Sequence, residues 1–318
     1  MADETRDHVD TLPPPPQRPV TALQCYLTYI VSLLVGVALW IWLAHDQPDN
    51  SAFTNGLIVT TVCTFVVWIF SMVNDNSSLY DPYWVIAPPF FVLGVIADAN
   101  GGLSDWHARQ VLVFACFVVW AARYHIVLLW DGWTEGLRIE DWRYEAMRSA
   151  PVPYWLNSLI GMHYFPTYLV YFAFAPAALA LMVQPSQQPD LNGWDALAVL
   201  GAVSAAAIQY FSDTQNAAFR QSQEYRGGGA MRKGLWAFSR HPNYFGEVLF
   251  WVSMIPFAIA AGVYSGHEAL VLSGPIAMAV FFRFSSWLMD MRSLQRRPGY
   301  DAVMKEVSAM VPWFPKAR

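Results

Sequence analysis

The residues best suited to chemistry lie in one short stretch, which reads GLWAFSRHPNYFGEVLFW. Proline is favoured at the first position of a helix and biases the preceding residue away from helical geometry, so a helix is predicted to begin at Pro242. The free N–H groups at that start, beside Arg240 and His241, would bind an anion. Glu247 shares a helix face with Asn243, four residues earlier. Each residue alone would suit a helix cap or lipid headgroups, but so many polar side chains within eight residues predict a polar ligand.

A second group of candidates lies in the N-terminal half, at the predicted cytosolic end of a span: Tyr80, Asp81 and Tyr83. A carboxylic acid kept protonated by apolar surroundings can donate a hydrogen bond to a carbonyl oxygen, and so can a tyrosine. These residues are therefore the candidates for polarising an acceptor molecule and supplying its proton. The competing interpretation is a turn at Asp81-Pro82 beside an interfacial aromatic belt, and for Asp81 this interpretation is slightly favoured.

The chain that must position these residues has the composition of a membrane protein. Of its 318 residues 55% are hydrophobic and only 14% are charged, whereas about a quarter are charged in a soluble domain. A net charge of −5 without a basic run argues against a nucleic-acid partner. The cysteines lie scattered in apolar stretches and match no metal-ligand spacing, so we predict neither disulfides nor a metal site. They are Cys25, Cys63 and Cys116.

Eight stretches approach the roughly 20 apolar residues that cross a bilayer as a helix. They are 22–44, 52–73, 80–97, 106–130, 155–183, 193–212, 243–264 and 268–289. The sequence therefore predicts an all-α, polytopic transmembrane helix bundle of about eight spans. Pro88 and Pro89 would make the third stretch kinked or re-entrant, and a re-entrant segment would leave seven crossings. The polar residues 1–20, which include four consecutive prolines, predict a disordered tail without a removable signal peptide.

The basic residues indicate which way the spans run. Sixteen of the nineteen Lys and Arg fall in the tail and in segments 131–153, 213–241 and 290–318. Eight spans place these segments on one side of the membrane, and the connections on the other side contain no Lys or Arg. The positive-inside rule then predicts that both termini are cytosolic.

Three arginines fall within predicted spans, where an unpaired cation is costly. Arg109 is close enough to the start of its span to snorkel to the interface. Arg123 and Arg283 lie deeper. Either they pair locally, Arg283 with Asp290 seven residues later, or they line a polar cavity that opens toward the cytosol.

The motif RHPNYFGE resembles the signature of the steroid 5α-reductase C-terminal family, of the DUF1295 type. Other matching segments follow one another in the order expected for that family. They are SLYDPYW at 78–84, EDWRY at 140–144, FSDTQNAAFR at 211–220, and the tail from Leu288 through RRPGY to Val311-Pro312. The resemblance thus covers roughly residues 78–315.

The resemblance implies that NADPH binds in a polar cleft open to the cytosol and that the acceptor sits among the N-terminal spans. On that division, 21–130 would form the lipid-substrate cavity and 131–318 the reductase-like region with its cofactor-binding loops. The cofactor would be lined by Arg240, His241, Asn243, Tyr244 and Glu247. Weaker candidates for its phosphates, ribose or adenine are Arg143, Asp141, Asp213 and Arg123.

The chain departs from the family pattern at three positions. Asp290 stands where relatives commonly carry Glu, Met304 where a second tail Tyr is usual, and Asp131 where relatives often place Asn. These differences leave the expected fold unchanged and bear on the individual cofactor contacts.

The expected function is NADPH-dependent reduction of a carbon–carbon double bond in a lipophilic substrate such as a steroid, sterol or polyprenyl lipid. One alternative is an isoprenylcysteine-type membrane methyltransferase using S-adenosylmethionine, but that family usually carries paired acidic residues near the end of its last span, where this chain has a single Asp290. The other alternative, a non-catalytic lipid-binding or transport protein, predicts internal repeats, which the sequence lacks. No obligate protein partner is evident. The resemblance favours the endoplasmic reticulum, with a bacterial inner membrane as the alternative.

Overall fold

The computed structural model describes residues 20–130 and 140–316. The predicted N-terminal tail and the family departure at Asp131 lie outside these residues. Within the described part of the chain all regular structure is helical, apart from one isolated β-bridge between Ser239 and Ser308. The predicted all-α class is confirmed.

The N-terminal half contains four long helices. They are α1 (Ala22–Asp46), α2 (Ala52–Val73), α3 (Tyr80–Asn100), which follows a short 3₁₀ turn at Ser77–Leu79, and α4 (Ala108–Trp130). Helix α1 begins with a capping box formed by Thr21 and Gln24. Helix α3 ends at Asn100 and is capped by Gly101, whose φ of 70° is in the left-handed region that glycine adopts without strain.

The C-terminal half combines long helices with short ones. These are α5 (Trp142–Arg148), α6 (Tyr154–Asn157), α7 (Phe165–Met182), α8 (Gly193–Arg220), α9 (Gln223–Arg226), α10 (Pro242–Val252), α11 (Ile255–Ala260), α12 (Glu268–Arg296) and α13 (Tyr300–Glu306). A π-helical segment, Ser158–Tyr164, joins α6 to α7, and 3₁₀ turns lie at Pro185–Gln187 and Gly234–Ala237.

Where the structure describes the chain, seven segments are long and apolar enough to cross a membrane. They are Ala22–Asp46, Ala52–Val73, Ser77–Asn100, Tyr154–Met182, Gly193–Arg220, Pro242–Ala260 and Glu268–Arg296. The remaining predicted span is α4, whose 23 residues would be about 35 Å long at the helical rise, enough to cross a bilayer. The protein is therefore a polytopic membrane helix bundle.

Two predicted spans differ in detail from the structure. The third is one unbroken helix through Pro88 and Pro89, so the re-entrant alternative is wrong. The seventh was predicted as a single apolar stretch, 243–264, but α10 ends at Val252 and α11 begins at Ile255. Pro256 explains this break, because the residue before a proline is biased away from helical geometry and a proline is favoured at a helix start.

The helices approach closely where small residues face each other. Helix α10 packs along α8, where a Cβ added at Gly246 would lie 3.0 Å from the carbonyl oxygen of Ala205. Helix α12 packs along α7, where a Cβ at Gly274 would lie 2.0 Å from the carbonyl oxygen of Phe172. Small residues are the usual means of close helix packing in membranes. An aromatic core fills the space between α4 and α10, with Trp120 stacked on Phe250 at 4.9 Å.

Candidate functional site

The start of α10 is built as the sequence predicts. Pro242 is its first residue, and His241 before it has φ −140°. The ring of His241 stacks on Tyr244 at 5.3 Å, almost in parallel. His241 is buried and the side chain of Arg240 is only 8% exposed, because both face the end of α12 and the C-terminal tail.

Asp290 of α12 is the common partner of these two residues. Its carboxylate accepts hydrogen bonds from Arg240 (Nη2 to Oδ2, 2.8 Å), from the His241 ring nitrogen Nε2 (2.9 Å) and from the Tyr300 hydroxyl (2.9 Å). Burial, reinforced by this carboxylate, raises the pKa of Tyr300, so its hydroxyl remains a donor. We call Arg240, His241, Asp290 and Tyr300 the tail clamp.

The tail clamp holds the backbone of the tail as well as its side chains. Arg240 donates from Nη1 to the carbonyl oxygens of Met304 (2.9 Å) and Val307 (2.5 Å). Its own N–H donates to the Ser308 carbonyl at 2.9 Å. All three nitrogens of the guanidinium are therefore engaged within the chain, which places Arg240 in a structural contact distinct from the cleft described next.

A second polar cluster lies deeper, between α4, α8 and α10. Arg123 lies 3.3 Å from Asp213 (Nη1 to Oδ2) and 3.6 Å from Glu247 (Nη2 to Oε2). Asn243 donates to Asp213 at 3.3 Å. Two indole N–H groups donate to Glu247, from Trp120 at 3.2 Å and Trp251 at 2.8 Å. The structure thus brings together four predicted cofactor residues, which we call the cleft cluster: Arg123, Asp213, Asn243 and Glu247.

The cleft cluster has unused hydrogen-bonding capacity. The Nε of Arg123 is buried and has no hydrogen-bond partner among residues 20–130 and 140–316, and the same holds for both amide atoms of Gln209. Gln209 lies one helical turn from Asp213 on α8 and packs against Gly246 of α10. Buried polar groups are normally paired, so unpaired ones within one cluster suit a site that receives a polar ligand. The sequence prediction missed Gln209, although its spacing of four from Asp213 was a usable signal.

Two tyrosines connect the cleft cluster with the loop segment around α5. Tyr124 and Tyr244 both lie within electrostatic range of Asp213 and Arg143. Arg143 is half-exposed and donates from Nε to Asp141 at 2.8 Å. Arg292, at the end of α12, lies over the ring of Trp142 at 3.6 Å and within electrostatic range of Arg143. Polar and positively charged groups thus continue from the buried cluster to the surface.

The acceptor-side candidates separate into two places. Tyr80 and Tyr83 are buried and line a small cavity of about 10 Å³ together with Trp84. The Tyr80 hydroxyl is 2.8 Å from the Thr167 hydroxyl. The third candidate, Asp81, lies in the first turn of α3 and not in a loop turn, so the turn interpretation is wrong.

Asp81 has a partner that the sequence prediction missed. Tyr144 of α5 donates its hydroxyl hydrogen bond to Asp81. Burial, and then the Asp81 carboxylate, raise the pKa of Tyr144 well above its usual value. Tyr144 belongs to the EDWRY segment, so a tyrosine beside the predicted Asp141 and Arg143 was visible in the sequence.

Trp84 forms the wall between the acceptor-side cavity and the cleft cluster. Its ring lies 5.8 Å from that of Trp120, which bonds Glu247, and 6.1 Å from that of Tyr124. The cavity and the cluster are therefore neighbours across one aromatic layer.

A buried network fixes the segment that carries α5. Glu140 accepts from the Ser77 N–H (2.8 Å), the Tyr154 hydroxyl (2.6 Å) and Arg148 Nε (2.6 Å). Ser78 accepts from the Asp141 N–H at 2.9 Å. These bonds hold the segment around α5 against the start of α3, which explains how Tyr144 reaches Asp81.

Two arginine predictions are corrected. Arg109 does not snorkel: it is fully buried and donates to Asp195 (2.7 Å) in the cap of α8. Arg283 does not pair with Asp290, which is occupied by the tail clamp. Arg283 lies instead on the exposed side of α12.

The fold and site define a polytopic membrane protein with a buried polar cleft that extends to one membrane surface. A family profile described as "Protein of unknown function (DUF1295)" matches residues 67–307. The chain belongs to this family, which is the steroid 5α-reductase-like domain. The resemblance inferred from the sequence motifs is confirmed.

A distant relative of the chain is a fission-yeast protein. It is an uncharacterized protein of Schizosaccharomyces pombe, 23% identical over 287 residues, which cover 83% of this chain and 80% of the relative. No solved structure matches the chain.

Proposed function

We propose that the protein is a membrane-embedded reductase that uses NADPH to reduce a carbon–carbon double bond in a lipophilic substrate. The observation that carries this proposal is the cleft cluster, with the unpaired buried Nε of Arg123 and amide of Gln209 inside a membrane bundle. A buried charged cluster is costly in a membrane unless it serves a function. The shared family supports the same class of activity.

The residues present fit a dinucleotide. The amide of Gln209 and the guanidinium of Arg123 have free hydrogen-bonding capacity. They suit a polar substituent on a ring of the dinucleotide. Arginines at the surface end, Arg143 and Arg292, suit phosphates. When bound, a reduced nicotinamide supplies the hydride for such a reaction.

The acceptor side supplies the proton and excludes water. In this proposal Tyr144 is the proton source, and its hydrogen bond to Asp81 fixes the position of its protonated hydroxyl. Tyr80, Tyr83 and Trp84 line the small cavity beside the cleft cluster. Because that cavity of about 10 Å³ has room for little more than one oxygen-sized group, its walls must move to admit the body of a lipid. The proposed partners are therefore NADPH, a lipophilic acceptor and membrane lipid.

The decisive test titrates the purified protein with NADPH and, separately, with S-adenosylmethionine. Binding is monitored by the change in intrinsic tryptophan fluorescence. We expect saturable NADPH binding that is lost or at least tenfold weaker in Asn243→Ala and Glu247→Gln. Glu268→Gln, at the opposite end of the bundle, is the matched control and should bind as the wild type does. Absence of NADPH binding by the wild type would overturn the proposal, and binding of S-adenosylmethionine instead would indicate a methyltransferase.

The membrane in which the reductase acts is part of the proposal. We place it in the endoplasmic reticulum, with a bacterial inner membrane as the alternative. Fractionation of the source organism's membranes with an antibody against the chain would distinguish the two.

A further inference from the structure

The outer face of α12 contains one charged residue among apolar ones. The buried side chains of α12 face α7 and α10, and its exposed large side chains face away from the bundle. The exposed apolar residues are Ile276, Val280, Phe284, Trp287 and Leu288. In a membrane protein such a face lies against acyl chains. Arg283 is exposed in the middle of this face.

Arg283 lacks an acidic partner among the described residues. Its closest polar contact is the Ser286 hydroxyl, 3.4 Å from Nη1. That hydroxyl donates its own proton to the Arg283 carbonyl at 2.8 Å, so it can only accept. The acidic residue nearest along the helix toward its C-terminal end, Asp290, is held by the tail clamp. A guanidinium has five donors, and most of those of Arg283 have no acceptor in the described part of the chain.

The depth of Arg283 in the bilayer determines which part of a lipid its side chain can contact. Asp290 lies level with the start of α10, since it bonds Arg240 and His241 there. Arg283 lies seven residues before Asp290 in α12. At the helical rise, this places Arg283 about 10 Å deeper in the bilayer than Asp290. An arginine side chain at this depth snorkels toward the interface. Trp287, one turn nearer to that interface and also exposed, is the type of residue that sits at headgroup level.

We propose that Arg283 binds the phosphate of an anionic phospholipid from the leaflet on the side of the tail clamp. A guanidinium pairs with a phosphate in a bidentate manner, and such a pair removes the cost of an unpaired cation beside hydrocarbon. The lipid's acyl chains lie along the apolar residues of the same face. This site is independent of the proposed reductase activity.

The alternative occupant, a second copy of the chain, fits less well. Helix α12 contains only two acidic residues, Glu268 at its first position and the buried Asp290. Two α12 faces packed about a two-fold axis would therefore bring two guanidinium groups together without a carboxylate. Charge complementarity favours a lipid phosphate.

The test is native mass spectrometry of the full-length protein with bound phosphatidylglycerol or phosphatidylcholine. We expect the wild type to retain phosphatidylglycerol, with at least tenfold weaker retention in Arg283→Gln and an intermediate loss in Arg283→Lys. Arg297→Gln is the matched control, because Arg297 lies beyond the end of α12, with its guanidinium 5.4 Å from the Tyr225 ring centroid. Free glycerol phosphate should not displace the lipid, since it lacks acyl chains.

Two results would overturn the proposal. One is equal retention of phosphatidylglycerol by the wild type and Arg283→Gln. The other is a wild-type dimer that Arg283→Gln dissociates, which would assign Arg283 to a protein contact. Both are read from the same spectra, and neither depends on whether the protein binds a nicotinamide coenzyme.

Discussion

Asp290 shows how much a single residue's role depends on its distant neighbours. From the sequence it is a conservative departure from the family's usual Glu and a partner for Arg283. In the structure it joins Arg240, His241 and Tyr300, ten to fifty residues away along the chain. Its function is therefore to fasten the C-terminal tail to the start of α10.

Removing the carboxylate should release the tail. Asp290→Ala leaves the buried guanidinium of Arg240 without its anion, and breaking a buried pair in this way costs roughly 3–5 kcal/mol. We expect a lower melting temperature and faster proteolytic cleavage within the tail. Asp301→Ala is the control, because its pair with Lys305 is exposed and should contribute little. An unchanged melting temperature for Asp290→Ala would mean that the tail is held by other contacts.

Tyr144 is the residue-scale test of the acceptor side. On the proposed function, Tyr144→Phe should bind NADPH as the wild type does but turn over about 10²–10⁴-fold more slowly, the range for loss of a general acid. Because burial and Asp81 raise the pKa of Tyr144, its ionisation should not appear in the pH–rate profile of the wild type between about pH 6 and 9. Tyr154→Phe, at a tyrosine bound to Glu140, is the comparison variant. Equal loss of turnover in both variants would indicate a structural effect.

At the scale of the elements, local signals predicted where helices begin better than where they break. Pro242 and the residue before it specify the start of α10, and the structure confirms it. The break after Val252 was missed because the apolar composition continues through it, although Pro256 was a signal. The π-helical segment before α7 could not be predicted, because nothing in its composition distinguishes it from an ordinary helix.

The contact between α7 and α12 gives an element-scale prediction. Gly274→Ala would place a methyl group 2.0 Å from the backbone oxygen of Phe172. A backbone atom cannot relieve this clash by changing rotamer, as a side chain can. We expect the variant to lose most folded protein, measured as monodisperse yield in size-exclusion chromatography. Gly193→Ala is the matched control, since a Cβ there meets nothing within 4 Å. Normal yield of Gly274→Ala would show that α12 can shift away from α7.

For the whole molecule, the sequence singled out polar residues that the structure places in two buried clusters, but it did not predict which of them meet. The family motifs identified both the tail clamp and the cleft cluster, but as one cofactor site. Their separation follows from helix packing, which turns Arg240 toward α12 and Glu247 toward α4. Tyr144 and Gln209 lie near predicted residues in the sequence, but they were missed because their contacts, with Asp81 and with the α8–α10 interface, are formed only in the folded chain.

The arrangement of the whole chain across the membrane remains a prediction. It depends on whether α4, which contains Arg109 and Arg123, crosses the membrane. Labelling of introduced cysteines can test this, because all three native cysteines are buried: Cys25, Cys63 and Cys116. Ser104→Cys and Ser149→Cys introduce exposed thiols before and after α4.

Eight spans place these two thiols on opposite sides. We expect a membrane-impermeant maleimide added outside intact cells or sealed vesicles to label only one of them, and the other only after permeabilisation. Ser265→Cys, in a connection without basic residues, should behave as Ser104→Cys does, because the positive-inside rule assigns both to the non-cytosolic side. If both thiols flanking α4 react from the same side, α4 does not cross. The three basic segments 131–153, 213–241 and 290–318 would still share one face, because two crossings separate each from the next, but the N-terminal tail would lie on the opposite face, and the predicted placement of both termini in the cytosol would be wrong.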